Sequence, residues 1–83
     1  MIEILLTIYY KGNEPFEVIE IEEGDKDQFD AMYDNFNSYA KLLEKLFSAE
    51  LFERKKMTEL ELSIQIQDGN EWDIYDEISL KYN

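Results

Sequence analysis

From Ile2 to Tyr10 the apolar positions alternate, with Ile2, Ile4, Leu6, Ile8 and Tyr10 on one side and Glu3, Leu5, Thr7 and Tyr9 on the other. That is the period of a strand with one buried face. Gly12-Asn13 is a two-residue hairpin signal, and such a turn pairs Lys11 with Glu14, Leu6 with Ile19 and Ile4 with Ile21. This register gathers Ile19 and Ile21 beside Ile4 and Leu6, and Leu5, Tyr9, Phe16 and Val18 on the opposite face, so the hairpin is apolar on both faces near its turn. Pro15 fits an edge position, where no ladder donor is needed.

After Gly24 the period lengthens. Phe29, Tyr33, Phe36, Ala40, Leu43, Phe47 and Leu51 recur at spacings of three and four, one helical stripe, which Met32, Tyr39, Leu42 and Leu46 widen. Asp25 followed by Gln28 has the spacing of a capping box. Asp27, Asp30 and Asp34 lie in the early turns and Arg54, Lys55 and Lys56 at the end, each matching the helix dipole. The pattern predicts one helix over about 26–54. Its weak point is Asp34-Asn35-Phe36-Asn37-Ser38, where poor helix formers cluster.

From Thr58 the period of two returns, with Leu60, Leu62, Ile64 and Ile66 on one face and Glu59, Glu61, Ser63, Gln65 and Gln67 on the other. Trp72, Ile74, Ile78, Leu80 and Tyr82 form a fourth alternating run. A three-residue loop, Asp68-Gly69-Asn70 with Asn70 left-handed, puts Ile66 opposite Trp72 and Ile64 opposite Ile74. Asp76 falls on the apolar stripe, which predicts a bulge or irregular stretch near Tyr75-Asp76 rather than a buried carboxylate. The expected fold is a single α+β domain over 1–83, β-β-α-β-β, with a four-stranded antiparallel sheet and one long helix on one face.

Eighty-three residues hold one core. There is no cysteine and no histidine, so neither disulfides nor thiolate or imidazole metal sites supplement packing. Six Tyr, five Phe and one Trp supply the apolar area instead. The run Ile4 to Tyr10 lacks a basic n-region and no stretch approaches the ~20 apolar residues of a membrane span, so a cytoplasmic protein is expected. The formal net charge is −12, from twenty Asp and Glu against eight Lys and Arg. Such a field disfavours direct contact with DNA, RNA or anionic membrane and favours a basic partner.

The residue inventory removes much chemistry. Hydrolases with a histidine base are excluded because nothing can activate a nucleophile that way. Three glycines, at 12, 24 and 69, cannot build a phosphate loop or a dinucleotide fingerprint. Asp25, Asp27 and Asp30 resemble the start of a calcium loop, but Phe29 takes the third ligand position and no glycine follows. Paired carboxylates arise by chance in so acidic a chain, and 83 residues leave little room for a sugar-enclosing cleft. Arg54-Lys55-Lys56 could touch phosphate, although a helix C-terminus explains it by dipole complementarity. No enzyme activity, cofactor or metal is expected.

Alternation sends Glu3, Glu20, Glu22, Glu59, Glu61, Glu71, Asp73 and Glu77 to the face the helix leaves open, with Lys81 as the basic residue expected there. Alternate residues lie about 6.6 Å apart and strands about 4.8 Å apart, a charge density approaching that of a nucleic-acid backbone. Leu5, Tyr9, Phe16 and Tyr75 add apolar anchors. In length, acidity, missing catalytic groups and strand-rich plan, the chain resembles small phage-encoded DNA-mimic inhibitors of the anti-CRISPR and anti-restriction type. The likeness is one of class and carries over no residue positions. It implies a non-catalytic inhibitor whose acidic face, anchored by Tyr9, Phe16 and Tyr75, fills the basic nucleic-acid groove of a partner enzyme. The alternative expectation is a structural or regulatory subunit that homodimerises through Leu5, Tyr9, Phe16 and Val18.

Overall fold

The computed structural model describes residues 1–12 and 15–82. Asn13 and Glu14, with the Lys11–Glu14 pair expected at the first turn, lie outside them. The strands are β1 (Ile2–Tyr10), β2 (Glu17–Gly24), β3 (Met57–Asp68) and β4 (Glu71–Lys81). A 3₁₀ turn (Lys26–Gln28) leads into α1 (Phe29–Leu46), and α2 (Ala49–Arg54) follows. One antiparallel sheet has the order β2-β1-β3-β4, so the chain is α+β with the helices on one face. No helix among the described residues is long and apolar enough to cross a membrane.

The strand order follows from which strands can tolerate full burial. β1 and β3 carry the cleanest apolar alternation and take the centre, where Ile2, Ile4, Leu60, Leu62 and Ile64 are almost wholly buried. Met32 and Phe36 of α1, Phe52 of α2, and Met57 close over them. At the helix start Gln28 Oε1 accepts the Asp25 N–H at 2.9 Å, the reciprocal half of the expected capping box.

The helical segment is two helices, and the break is not at Asp34–Ser38. Phe36 is buried there and the Asn35 side chain donates to Glu22 at 3.0 and 3.2 Å, so tertiary contacts override weak propensity. The chain breaks instead at Phe47-Ser48. Phe47 leaves helical geometry at φ −102°, ψ 89°, and the Ser48 hydroxyl caps α2 by accepting the Leu51 N–H at 3.3 Å. The turn lets Phe52 enter the core with its ring edge-on to Phe47.

Both outer strands carry a bulge. Leu6 pairs with Ile19 as expected, but Ile4 pairs with Glu22 rather than Ile21, because one extra residue enters β2 between the Leu5–Glu20 and Ile4–Glu22 pairs. In the second hairpin the turn is Gly69-Asn70, two residues rather than three. Gly69 takes the positive φ of 66°, and Asp68 pairs with Glu71. That moves the register by one, so Ile66 meets Asp73 and Gln65 meets Ile74, not the expected Ile66–Trp72 and Ile64–Ile74. The irregularity foreseen near Tyr75-Asp76 is present: Tyr75 is inserted between the Gln65–Ile74 and Ile64–Asp76 pairs.

One row on the helix-bearing face therefore runs Glu22, Ile4, Ile64, Asp76 across all four strands. Its centre is two fully buried isoleucines, and an acid stands at each edge. Helix α1 satisfies both acids. The Tyr39 hydroxyl donates to Glu22 Oε2 at 3.2 Å and the Tyr33 hydroxyl to Asp76 Oδ2 at 2.7 Å, with Phe36 buried between these tyrosines in the sequence. The bulges place carboxylates where the helix offers phenols, which offsets their desolvation.

Candidate functional site

The face opposite the helices is where strand alternation can display side chains in rows. Paired residues share a face, and reading across β2-β1-β3-β4 gives four rows. The first is Phe16 beside Tyr9, then Glu59 and Lys81; the second is Val18, Thr7, Glu61 and Ser79. The third is Glu20, Leu5, Ser63 and Glu77; the fourth is Glu23, Glu3, Gln65 and Ile74, with Gln67 and Trp72 beyond it.

Of the residues expected here, Glu3, Tyr9, Phe16, Glu20, Glu59, Glu61 and Glu77 come together, as do Leu5, Val18 and Lys81. Glu22, Glu71, Asp73 and Tyr75 do not. The β2 bulge turns Glu22 to Asn35 and Tyr39 of α1. The two-residue turn sends Glu71 and Asp73 to the helix-bearing face opposite Asp68 and Ile66. Tyr75, the inserted residue, packs edge-on against Phe29 at 4.8 Å and Tyr33 at 5.4 Å between centroids. Sequence reading missed Glu23, Trp72 and Ile74, which take their places. The available signal was Asp68-Gly69-Asn70-Glu71, which also accommodates a two-residue turn with glycine first.

The face divides into diagonal corners. Glu3, Glu20 and Glu23 form one acidic corner, with carboxylate oxygens all within 4.8 Å of one another. Glu59, Glu61 and Glu77 form the other, relieved by Lys81. Tyr9, Phe16 and Val18 fill the third corner and Ile74 and Trp72 the fourth, with Phe16 60 % and Ile74 56 % exposed. The crowding is visible in proton affinity. Burial first, then the charges of Glu77 and Glu59, push the Glu61 carboxyl above its ordinary range, against the opposing pull of Lys81. Partial desolvation by its neighbours, then Glu23 and Glu3, push the exposed Glu20 the same way. The Tyr9 phenol is raised by burial and by Glu61, Glu59 and Glu77.

Chemically, this face can receive positive charge and apolar groups. The Glu3–Glu20–Glu23 trio has the oxygen spacing to share a hard cation, but such ions take six to eight oxygens and the trio supplies three side chains on an open surface. No family model, curated protein or solved structure matches the chain.

Proposed function

We propose that the open sheet face docks on a basic protein surface, and that the chain is a non-catalytic inhibitor that fills the nucleic-acid groove of an enzyme and excludes DNA or RNA. One observation carries this reading: six carboxylates, Glu3, Glu20, Glu23, Glu59, Glu61 and Glu77, share one sheet face with Lys81 as the counter-charge. Desolvation first, and then repulsion from neighbouring carboxylates, raises Glu20 and Glu61, so an arriving array of Lys and Arg would find charge that is only partly compensated within the fold. At one corner three carboxylates bring oxygens within 4.8 Å of one another, a local concentration of negative charge of the kind a nucleic-acid backbone presents. The exposed Phe16 and Ile74 stand at the diagonal corners, as apolar anchors beside the charge.

The exposure of Phe16 and Val18 also favours a second reading, self-association through the first hairpin. The corner pattern weighs against it. A face-to-face pair about a twofold through the centre of the face lays an apolar corner on an acidic one, or carboxylates on carboxylates, and like charges in contact cost stability, so that only a pair offset onto the small hairpin corner escapes this.

A pull-down of the tagged chain from bacterial lysate, at low and then high salt, supplies the partner. Glu59→Lys, Glu61→Lys and Glu77→Lys together should then abolish its inhibition, while Glu71→Lys with Asp73→Lys, on the other face, should not. Association should also slow steeply as ionic strength rises. Equal effects of the two variants, or a salt-resistant oligomer of the bait alone, would overturn the proposal.

A further inference from the structure

The end of the molecule that carries Tyr10 and the start of β3 has the opposite character to the rest. A cavity of about 520 Å³ opens there, lined by Tyr10, Lys11, Pro15, Glu17, Lys55 and Lys56. That volume falls within the ~300–1,000 Å³ range of small-molecule sites. Three of the chain's eight basic residues line it, from two separate loops. The loops are tied by a hydrogen bond from the Lys11 N–H to the Lys56 carbonyl at 2.8 Å. The one carboxylate of the lining, Glu17, already accepts the Tyr10 hydroxyl at 2.8 Å.

The ordinary account of Lys55 and Lys56 is that they complement the carbonyl end of α2. It leaves two observations unexplained. Helix α2 is only six residues long, so its dipole is small, and Lys11, whose ammonium lies 5.8 Å from the centroid of the Tyr82 ring, belongs to the first hairpin and not to the helix. More telling is the backbone of Lys56, the only non-glycine residue with positive φ, at 58°, among those described. It follows the α2 C-cap, with its N–H on the Glu53 carbonyl at 3.1 Å, in the position where helices characteristically end in glycine. A lysine there carries a steric cost that glycine would avoid. Residues held at such a cost cluster at ligand sites.

We propose that this cavity binds the phosphate groups of a small phosphorylated organic molecule, with Lys11, Lys55 and Lys56 as the cationic lining. Inorganic phosphate alone would fill little of the space, and the Tyr10 ring and Pro15 offer the apolar wall an organic portion needs. The inference is independent of the acidic face and stands or falls without it. The net charge of −12 makes the test selective, because the molecule as a whole repels anions and saturable binding must arise locally.

The test is a titration of the ¹⁵N-labelled full chain with pyrophosphate and with ATP in metal-free buffer, followed by amide shifts. Saturable shifts confined to Tyr10, Lys11, Lys55 and Lys56 are expected. Equal binding of the two probes would place recognition in the phosphates, and preference for ATP would add a contact to its ring; both support the site. Lys56→Gly should weaken binding roughly tenfold or more, as expected for loss of a charged hydrogen-bond donor, while the melting temperature holds or rises. Lys11→Gln should weaken binding similarly, and Lys45→Gln, on α1, should not. Absence of saturable shifts with either probe, or a Lys56→Gly variant that binds as tightly as the parent, would overturn the proposal.

Discussion

Which face each β4 side chain occupies decides what the open surface is made of, and a matched pair of substitutions tests it directly. Ile64 and Ile74 are the same residue type on adjacent strands, but Ile64 is 0 % exposed beneath the helix and Ile74 is 56 % exposed on the open face. Ile64→Ala removes fully buried methyl groups and leaves a cavity, which costs about 2–5 kcal/mol. Ile74→Ala removes a side chain less than half covered. Full burial of isoleucine is worth about 1.5–3 kcal/mol, so the loss here is about 1 kcal/mol or less, with no cavity to add. Against a total of about 4–12 kcal/mol for a domain of this length, the first loss is a large fraction and the second a minor one. At about 4–8 °C per kcal/mol, thermal melts followed by circular dichroism should show a drop of at least about 8 °C for Ile64→Ala and, because one conversion applies to both variants, of no more than about half that variant's drop for Ile74→Ala. Urea unfolding should give the same ranking with unchanged slopes. Simple alternation over Trp72–Tyr82 would put both isoleucines in the core. Equal losses in the two variants would refute the one-residue shift and, with it, the composition of the face.

The acidic corners predict an inverted pH response. Glu61 and Glu20 hold their protons more tightly folded than unfolded, so their contribution to stability is greatest at low pH and falls as pH rises from about 4.5 through the folded values. The urea midpoint should fall as pH rises from about 4.5 through the raised folded values, and Glu61→Gln should reduce that fall while adding a few tenths of a kcal/mol at neutral pH. The Tyr33 and Tyr39 phenols are raised above 10, Tyr33 chiefly by its bond to Asp76 and Tyr39 chiefly by burial, then by Glu22. Their support is present below pH 10 and disappears as pH climbs through the raised folded values, so alkaline unfolding should be steeper in the parent than in a Tyr33→Phe, Tyr39→Phe variant, which should be weaker near neutrality. Ser48→Ala removes the cap of α2, whose bond to Leu51 is long at 3.3 Å. A loss of about 0.5 kcal/mol is expected, with amide exchange accelerating in 49–54 and not in α1.

Much of the plan was legible because it rests on local period. The four strands, the helical layer, the Leu6–Ile19 pair and the gathering of Leu5, Tyr9, Phe16 and Val18 all follow from alternation and hold in the structure. Asp76 on an apolar stripe was enough to flag the irregularity beside it. What alternation could not supply is the residue at which a strand slips. The β2 bulge coincides with Glu22 meeting Asn35 and Tyr39, and the β4 bulge with Asp76 meeting Tyr33, partners that are distant in sequence. Likewise the helix breaks at Ser48, a cap followed by Ala49-Glu50, rather than among the Asp and Asn of 34–37, because Phe36 and Asn35 are held by the sheet. The two bulges move Glu22 and Tyr75 off the candidate surface and bring Glu23 onto it, and the two-residue turn at Gly69-Asn70, a local alternative to the three-residue loop, exchanges Glu71 and Asp73 for Trp72 and Ile74.

An open four-stranded sheet has two free edges, each a row of unpaired donors and acceptors on which another strand could build. Here the β2 and β4 insertions fall on the two sides of one row, Glu22–Ile4–Ile64–Asp76, so both edges are interrupted near the same height. A copy laid alongside would find each ladder broken at the kink, rimmed by Glu17, Glu20 and Glu23 on one side and Glu71, Asp73 and Glu77 on the other. Growth by sheet extension is therefore disfavoured at each end. The molecule can leave Phe16, Val18 and Ile74 bare to solvent without polymerising through its strands.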